Sequence, residues 1–193
     1  MKKILITGAG GIGGVNFVRA LKIFKDKFFI VGLDFNKYYL EFPDVDVRVN
    51  SPRHSDPNFI KLIHELIKKY DIDFLHPHPS SEALVVSQNL DSITTKTLLP
   101  KPNIISTDKL KTQKILSDSG INVAQTKTFE NLDSIETRFK ELGDGPFWIR
   151  AKSGAGGNLS LLCSEPKEIE YWMKLWILRG KANIDDFMLQ QFL

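Results

Sequence analysis

The stretch KILITGAGGIGG, Lys3 to Gly14, decides the fold class of the first half of the chain. Ile4, Leu5 and Ile6 are apolar, so Lys3–Thr7 reads as a short buried strand. Gly8, Gly10, Gly11, Gly13 and Gly14 follow at once. Val15, Val18, Leu21 and Ile23 then supply apolar positions, which predicts a helix from about Gly13 to Phe24. Glycine permits positive φ and lets backbone N–H groups approach whatever lies beside the turn, and a helix N-terminus in that place favours an anion. The residues fit both G-x-G-x-x-G (Gly8, Gly10, Gly13) and G-x-x-G-x-x-G (Gly8, Gly11, Gly14). The next apolar run, FFIVGLD (Phe28–Asp34), is a second buried strand that ends on Asp34, where a dinucleotide site carries its ribose-binding acid. Two readings stand at this point: an NAD(P) site, or glycines that only make a tight strand–helix turn.

Further along, DVDVRVN (Asp44–Asn50) alternates with period two and reads as a third strand. Phe59, Ile63, Leu66 and Ile67 recur at helical spacing and predict a helix over Pro57–Tyr70. DFLHP (Asp73–Pro77) is a fourth strand, and Glu82–Asn89 a short helix after it. This order is α/β, with a mainly parallel sheet and ligands at the carboxyl ends of its strands. The acid/base pair of a short-chain reductase or epimerase, Tyr-x-x-x-Lys, does not follow. Four residues beyond Tyr38, Tyr39, Tyr70 and Tyr171 stand Phe42, Pro43, Phe74 and Leu175. An NAD(P)-dependent oxidoreductase or epimerase is therefore the alternative function, without its proton donor.

LLPKPNIIST (Leu98–Thr107), with two prolines, reads as a linker, dividing the chain into domains 1–105 and 106–193. A helix over Asp108–Ser119 has Thr107 as a plausible N-cap and Gly120 as a C′ residue. Asp133 with Glu136 suggests a capping box for a helix ending near Leu142. PFWIRA and NLSLLC read as strands flanking a glycine loop. Ile169, Trp172, Met173, Trp176 and Ile177 mark the core face of a helix from about Pro166 to Leu178, and FMLQQF is a final strand. The second half is thus a separate α+β unit. The chain closes on the apolar DDFMLQQFL, the pattern expected where a longer protein is cut.

Composition narrows the class. The 193 residues are 42% hydrophobic and 25% charged with net charge +3, an ordinary globular balance too mild to argue for nucleic acid. No apolar run approaches the roughly 18 residues of a membrane span, and no signal-peptide pattern precedes the first strand. One cysteine, Cys163, excludes an intramolecular disulfide and reads as a small buried hydrophobe. A reducing, cytoplasmic setting is expected.

Two further features carry chemistry. RAKSGAGGNLS (Arg150–Ser160) is strand–loop–strand and has no Gly-Lys-Ser/Thr, so it is not a P-loop. Its glycines offer free N–H groups beside Arg150 and Lys152, a combination that suits polyphosphate; a hairpin with a long turn is the other reading. Lys109, Lys111 and Lys114 crowd a helix start, where cations oppose the macrodipole unless one of them faces an anion. His76 and His78 alternate at a strand end with no third or fourth metal ligand near them in sequence, and read as cleft-lining residues.

These features, in this order, resemble the ATP-grasp superfamily, in particular its biotin carboxylase and carbamoyl phosphate synthetase large-subunit branch. FLHPHPSSEA is similar to the family's loop after the fourth strand, TDKLKTQKILSDSGINVAQT to its Asp-Lys helix, GPFWIRAKSGAGGNLSLL to its cation strand and glycine-rich flap, and MLQQFL to its hinge strand. The resemblance implies a Rossmann-like pre-ATP-grasp domain followed by the first ATP-grasp subdomain. Lys109 and Arg150 take the places of the two phosphate-binding cations. Lys152, Gly154, Gly156 and Gly157 belong to the flap, and Gly154 to Asn158 would close over phosphate. Gln190, Gln191 and Leu193 occupy the adenine-binding hinge, with Gln190 standing where the family usually has an acid. Gly10, Gly11, His76 and Glu82 fall on the substrate side, so that the first glycine turn would hold no NAD. The implied protein is an ATP-dependent ligase that activates a small-molecule carboxylate as an acyl phosphate. Its magnesium ligands would lie past the hinge strand, so the 193 residues alone would bind ATP weakly and catalyse nothing. A homodimer is possible, and no nucleic acid or membrane is implied. A nucleotide-binding module without chemistry remains a third reading.

Overall fold

A computed structural model describes residues 1–24, 27–102, 104–105, 108–154, 157 and 159–192. The chain forms two compact units, Met1–Ile105 and Ser106–Leu193.

The first unit comprises β1 (Lys2–Thr7), α1 (Ile12–Lys22), β2 (Phe28–Asp34), β3 (Val47–Asn50), α2 (Asn58–Tyr70), β4 (Phe74–Pro77) and α3 (Ser80–Gln88). Its four strands pair in the order β3-β2-β1-β4, all parallel. Successive side chains on a strand point to opposite faces, and both faces are covered. Leu5, Val31, Leu33 and Leu75 pack with Phe59, Ile63, Leu66 and Ile67 of α2. Ile4, Ile6 and Ile30 pack with Val18 of α1 on the other side. The chain steps from β1 to β2 on one side and from β3 across to β4 on the other. The order therefore reverses at β1, and the crevice beyond the carboxyl ends of β1 and β4 is the topological switch point.

Three details differ from the sequence reading. Ile23 is not a core position; it lies past the end of α1 and is 77% exposed. β3 begins at Val47, because the Asp46 carboxylate is drawn to the Ile30 N–H (2.7 Å) and Val45 N–H turns back to Pro43 O (3.0 Å). α3 begins at Ser80, two residues before the expected start.

The second unit comprises α4 (Lys109–Asp118), β5 (Thr126–Thr128), α5 (Ile135–Leu142), β6 (Phe147–Ala151), β7 (Leu161–Cys163), α6 (Pro166–Leu178) and β8 (Phe187–Gln191). The sheet is antiparallel in the order β5-β8-β6-β7. Its core gathers Phe147, Ile149, Phe187 and Leu189 with Ile169 and Met173 of α6; Trp172, Trp176 and Ile177 pack at its edge. Cys163 is fully buried, and burial pushes its thiol up to about 11. α6 opens on Pro166 at its first position, where the missing N–H costs nothing, and Glu168 reaches back to the Ser164 and Glu165 N–H groups at 2.6 and 3.1 Å.

Expected caps shift as well. Thr107 lies outside the described residues; Asp108 is the N-cap of α4, its Oδ1 accepting from Lys111 N–H at 3.0 Å. Gly120 closes that helix with φ +78, its N–H on Ser117 O and the Ile121 N–H on Leu116 O, the paired pattern of a left-handed cap. The Asp133–Glu136 box is not formed. Asn131 instead caps the short turn Leu132–Ser134 through Ser134 N–H (2.9 Å), and α5 starts directly from it.

Candidate functional site

In the second unit the alternation of β6 puts Trp148 and Arg150 on one face of the sheet, opposite Phe147, Ile149 and Ala151, which are buried. Beside that face is an open cleft of about 380 Å³, lined by Leu116, Trp148, Arg150, Gln190, Gln191 and Phe192, among others. Of the two cations singled out from sequence, Arg150 lines this cleft, and Lys109 is bonded to the backbone just after it. Lys109, the first residue of α4, is tied by its backbone N–H to Lys152 O (2.8 Å), and its Nζ donates to the carbonyls of Ala151 and Gly154 at 3.0 Å each. Burial lowers the Lys109 pKa from its usual range, the positive charge of Arg150 lowers it further, and Asp108 partly offsets them. Burial is the larger cause, and the guanidinium adds positive charge that an anion would relieve. Arg150 Nη1 donates to Gln190 Oε1 at 3.1 Å, while its Nε is buried and meets no acceptor.

The remaining predicted residues divide. Gln190 and Gln191 line the cleft. Lys152 contributes through its backbone, with its N–H on Asp186 O and its carbonyl on Lys109. Gly154 and Gly157 adopt positive φ, +87 and +71, with open space where a side chain would stand. Gly156, Asn158 and Leu193 lie outside the described residues. Trp148, Phe192 and Thr126 were missed by sequence reasoning. Trp148 was discoverable, because it precedes Arg150 by two residues on a strand. Thr126 was not, since Thr126–Thr128 is too short and polar to read as a strand.

In the first unit, the turn between β1 and α1 is filled by the protein itself. Gly10 N–H donates to Asp34 Oδ2 (3.1 Å), and Asn36 N–H to Asp34 Oδ1 (2.9 Å). A Cβ on Gly10 would stand 2.5 Å from the Tyr39 backbone, and one on Gly13 would stand 2.0 Å from His78 Nε2. Asp34 therefore serves its own backbone. Gly10 and Gly11 border an apolar cleft of about 540 Å³ with Ile12, Tyr39 and Phe42, which neither His76 nor Glu82 lines. His76 stacks on Phe17 (4.1 Å between rings), and its Nε2 lies 3.3 Å from His78 Nδ1. Burial, then the charge of His78, lowers the His76 pKa. Glu82 is buried at the start of α3 with Oε2 unpartnered. Burial pushes its pKa up to about 7 from the usual 4.5; the nearby Thr7 hydroxyl opposes this, and the Asp34 charge adds to it.

Among the described residues no group of three or more His, Cys, Asp or Glu side chains could hold a metal ion, and no described helix is long and apolar enough to cross a membrane.

No protein-family model and no curated protein matches the chain. Solved structures do. N5-carboxyaminoimidazole ribonucleotide synthetase from Thermotoga maritima is similar over 100% of this chain and 46% of its own, at 20% identity and TM-score 0.62. The biotin carboxylase domain of 2-oxoglutarate carboxylase from Hydrogenobacter thermophilus, a dimer solved with MgADP, ADP and bicarbonate, is similar over 100% of this chain and 44% of its own, at 16% identity and TM-score 0.62. L-amino acid ligase from Bacillus licheniformis matches over 100% and 44%, at 13% identity and TM-score 0.64. These neighbours are ATP-grasp enzymes, and at such identities the likeness shows a shared fold. The chain spans less than half the length of each.

Proposed function

We propose that this chain is the nucleotide-gripping part of an ATP-grasp carboxylate ligase, with the first unit a Rossmann-like pre-ATP-grasp domain and the second the first ATP-grasp subdomain. One observation carries the reading: Lys109, 41 residues before Arg150 in sequence, bonds by its Nζ to the carbonyl of Ala151, the residue after Arg150, and Arg150 lines a cleft bordered by the β8 glutamines. The residues fit a triphosphate. Two cations and a buried guanidinium Nε without an acceptor suit phosphate oxygens, and the half-buried Trp148 with the exposed Phe192 beside it offers flat apolar surface for a base. When bound, ATP supplies the phosphoryl group that turns a carboxylate into an acyl phosphate. Lys109 and Arg150 neutralise phosphate charge, and Gly154 and Gly157 border it. Electrostatic positioning of this kind is most of what phosphoryl transfer asks of a protein. The described residues do not fit a magnesium site. Gly10, Gly11, His76 and Glu82 belong on the substrate side in this reading. The proposed substrate is a small carboxylate, in the branch that includes carbamoyl phosphate synthetase; the proposed setting is cytoplasmic.

The dinucleotide alternative is disfavoured by Asp34, whose two oxygens are held by the Gly10 and Asn36 N–H groups. Calorimetry of the 193-residue chain with ATP, NAD and NADP separates the readings. Expected are binding of ATP only, no ATP turnover, and a loss of about tenfold in ATP affinity for Arg150→Ala and for Lys109→Ala, about 1.4 kcal/mol each. Binding of NAD without ATP, or an Arg150→Ala variant that binds ATP normally, overturns the proposal.

A further inference from the structure

The last rung of the β6–β8 ladder lies just beyond both strands. Arg150 and Ala151 pair with Met188 and Phe187 of β8. One residue further, the Lys152 N–H donates to the Asp186 carbonyl at 2.8 Å. Lys109 is docked on this same end of β6 by three bonds, its N–H to Lys152 O at 2.8 Å and its Nζ to Ala151 O and Gly154 O at 3.0 Å each. The sheet therefore carries Arg150 directly and Lys109 at one remove, and the Asp186 carbonyl is where Lys152 is tied to β8. A short turn, Ile184–Asp186, sets that carbonyl. Ile184 packs against the core of the unit. The Asp186 N–H donates to Asn183 O at 3.1 Å, and the Asp186 carboxylate reaches back to accept from the Asn183 N–H at 2.7 Å. This is the returning arm of a capping box, made by two exposed residues.

We propose that Asp186 is a positioning residue for the phosphate-binding cations: it closes the Asn183–Asp186 turn, fixes the carbonyl that holds Lys152, and through Lys152 sets where Lys109 stands relative to Arg150. The side chain then has two effects of opposite sign. Its negative charge works against an anion, weakly, because the residue is exposed and the charge is screened. Its hydrogen bond works for the anion, because groups already held in place need no reorganisation when the ligand arrives. The inference rests on the nucleotide reading above and adds to it what sets the spacing of the two cations.

The test compares the 193-residue wild type with Asp186→Ala and Asp186→Asn. Both substitutions remove the same negative charge, and only asparagine keeps an oxygen that can accept from the Asn183 N–H. Affinities for ATP, inorganic tripolyphosphate and adenosine are measured by calorimetry, hydrogen exchange of the Lys152 and Lys109 amides by NMR, and folding by circular dichroism. Asp186→Ala is expected to weaken ATP and tripolyphosphate about fivefold, the size of one lost hydrogen bond. Its Lys152 amide should exchange about tenfold faster, as a loosened end of the ladder does. Adenosine affinity stays within about twofold, since adenosine carries no phosphate. Asp186→Asn should restore wild-type or slightly tighter phosphate binding together with wild-type protection of Lys152. A side chain acting by charge alone would make both variants bind phosphate more tightly, and equally so. A merely structural role would move adenosine along with the other two ligands. Wild-type-like or tighter phosphate binding in Asp186→Ala overturns the inference, and so does an Asp186→Asn variant as weak as Asp186→Ala. If Asp186→Ala does not fold, Asp186→Ser, whose shorter arm falls short of the Asn183 N–H, takes its place under the same criteria. In each of these cases the nucleotide reading stands. A wild type that binds neither ATP nor tripolyphosphate overturns the nucleotide reading, and the inference with it.

Discussion

The two glycine-rich turns of this chain use the same residue for opposite ends. In the first, the space above each of several glycines is taken by protein. A Cβ would meet Pro79 at 2.2 Å from Gly8, Tyr39 at 2.5 Å from Gly10, His78 at 2.0 Å from Gly13 and the Gly8 carbonyl at 2.3 Å from Gly14. In the second, Gly154 and Gly157 have nothing within 4 Å of that position, and both hold positive φ. Glycine is needed in the first turn for close packing and in the second for backbone conformation beside open space. A glycine count cannot tell these apart, and only the second arrangement leaves N–H groups room to meet a ligand.

The largest expected effect breaks the comparison at its tightest point. Gly14 lies in α1, where alanine ordinarily favours a helix by about 1 kcal/mol over glycine. Here the added methyl would press on backbone, the Gly8 carbonyl and the Ala9 Cα at 2.8 Å, which cannot rotate aside. Gly14→Ala should therefore destabilise the first unit by about 3 kcal/mol, against its helix propensity. Urea unfolding followed by far-UV circular dichroism measures this. A neutral or stabilising substitution would mean that the first turn is as open as the second.

How much of this could be read from residues alone depends on the range of the interaction. The strands at Lys3–Thr7 and Phe28–Asp34 and the helices at Pro57–Tyr70 and Pro166–Leu178 were legible because apolar periodicity is local. The start of β3 was not, since the Asp46 carboxylate acts on Ile30, 16 residues away. The same limit governs the site. Arg150 and Lys109 could be named from their motifs, while the hydrogen bonds from Arg150 to Gln190 and from Gln190 to Thr126 involve a three-residue strand with no hydrophobic signature. Asp34 shows the converse. Its position after a strand suggests a ribose contact, and only the fold shows its oxygens turned onto Gly10 and Asn36.

The next effect tests what lies under the closed turn. Glu82 is buried with an unpartnered oxygen, and its pKa rises from the usual 4.5 to about 7. A raised carboxyl pKa means that the folded state prefers the protonated acid. Stability from this group is thus fully present below about 4.5, falls as pH rises through about 7, and is level above that. The ceiling on the loss is roughly 3 kcal/mol, and relaxation around the ionised group brings the expected change to about 2 kcal/mol. Glu82→Gln should abolish it, making the variant more stable than wild type at pH 8 by about 2 kcal/mol and nearly equal to it at pH 4. Taking the difference between the two proteins removes the exposed acids Asp73, Glu130 and Glu141. Their pKa values are lowered by hydrogen bonds and ion pairs common to both, so their stability is lost only on acidification below the usual carboxylate range. A difference that does not change with pH would show that Glu82 is hydrated, and the first turn less closed than its packing implies.

The smallest effect sharpens the comparison from the open side. Gly154→Ala meets no neighbour, so its cost is that of holding an L-residue at φ +87, about 1 kcal/mol. Relief of that strain would turn the backbone, and the Gly154 carbonyl would leave Lys109 Nζ, its partner at 3.0 Å. Lys109 would then keep the Ala151 carbonyl alone of these two acceptors and lose part of its orientation. A small loss of stability accompanied by a threefold or larger loss of ATP affinity would tie the conformation of this glycine to the cation it holds. An equally small loss of stability with unaltered ATP affinity would show that Gly154 shapes its own loop and nothing beyond it. In the first turn the two quantities should move the other way, with Gly14→Ala costing stability far out of proportion to any change in ATP binding per folded molecule, because the glycines there meet protein while Gly154 and Gly157 face open space.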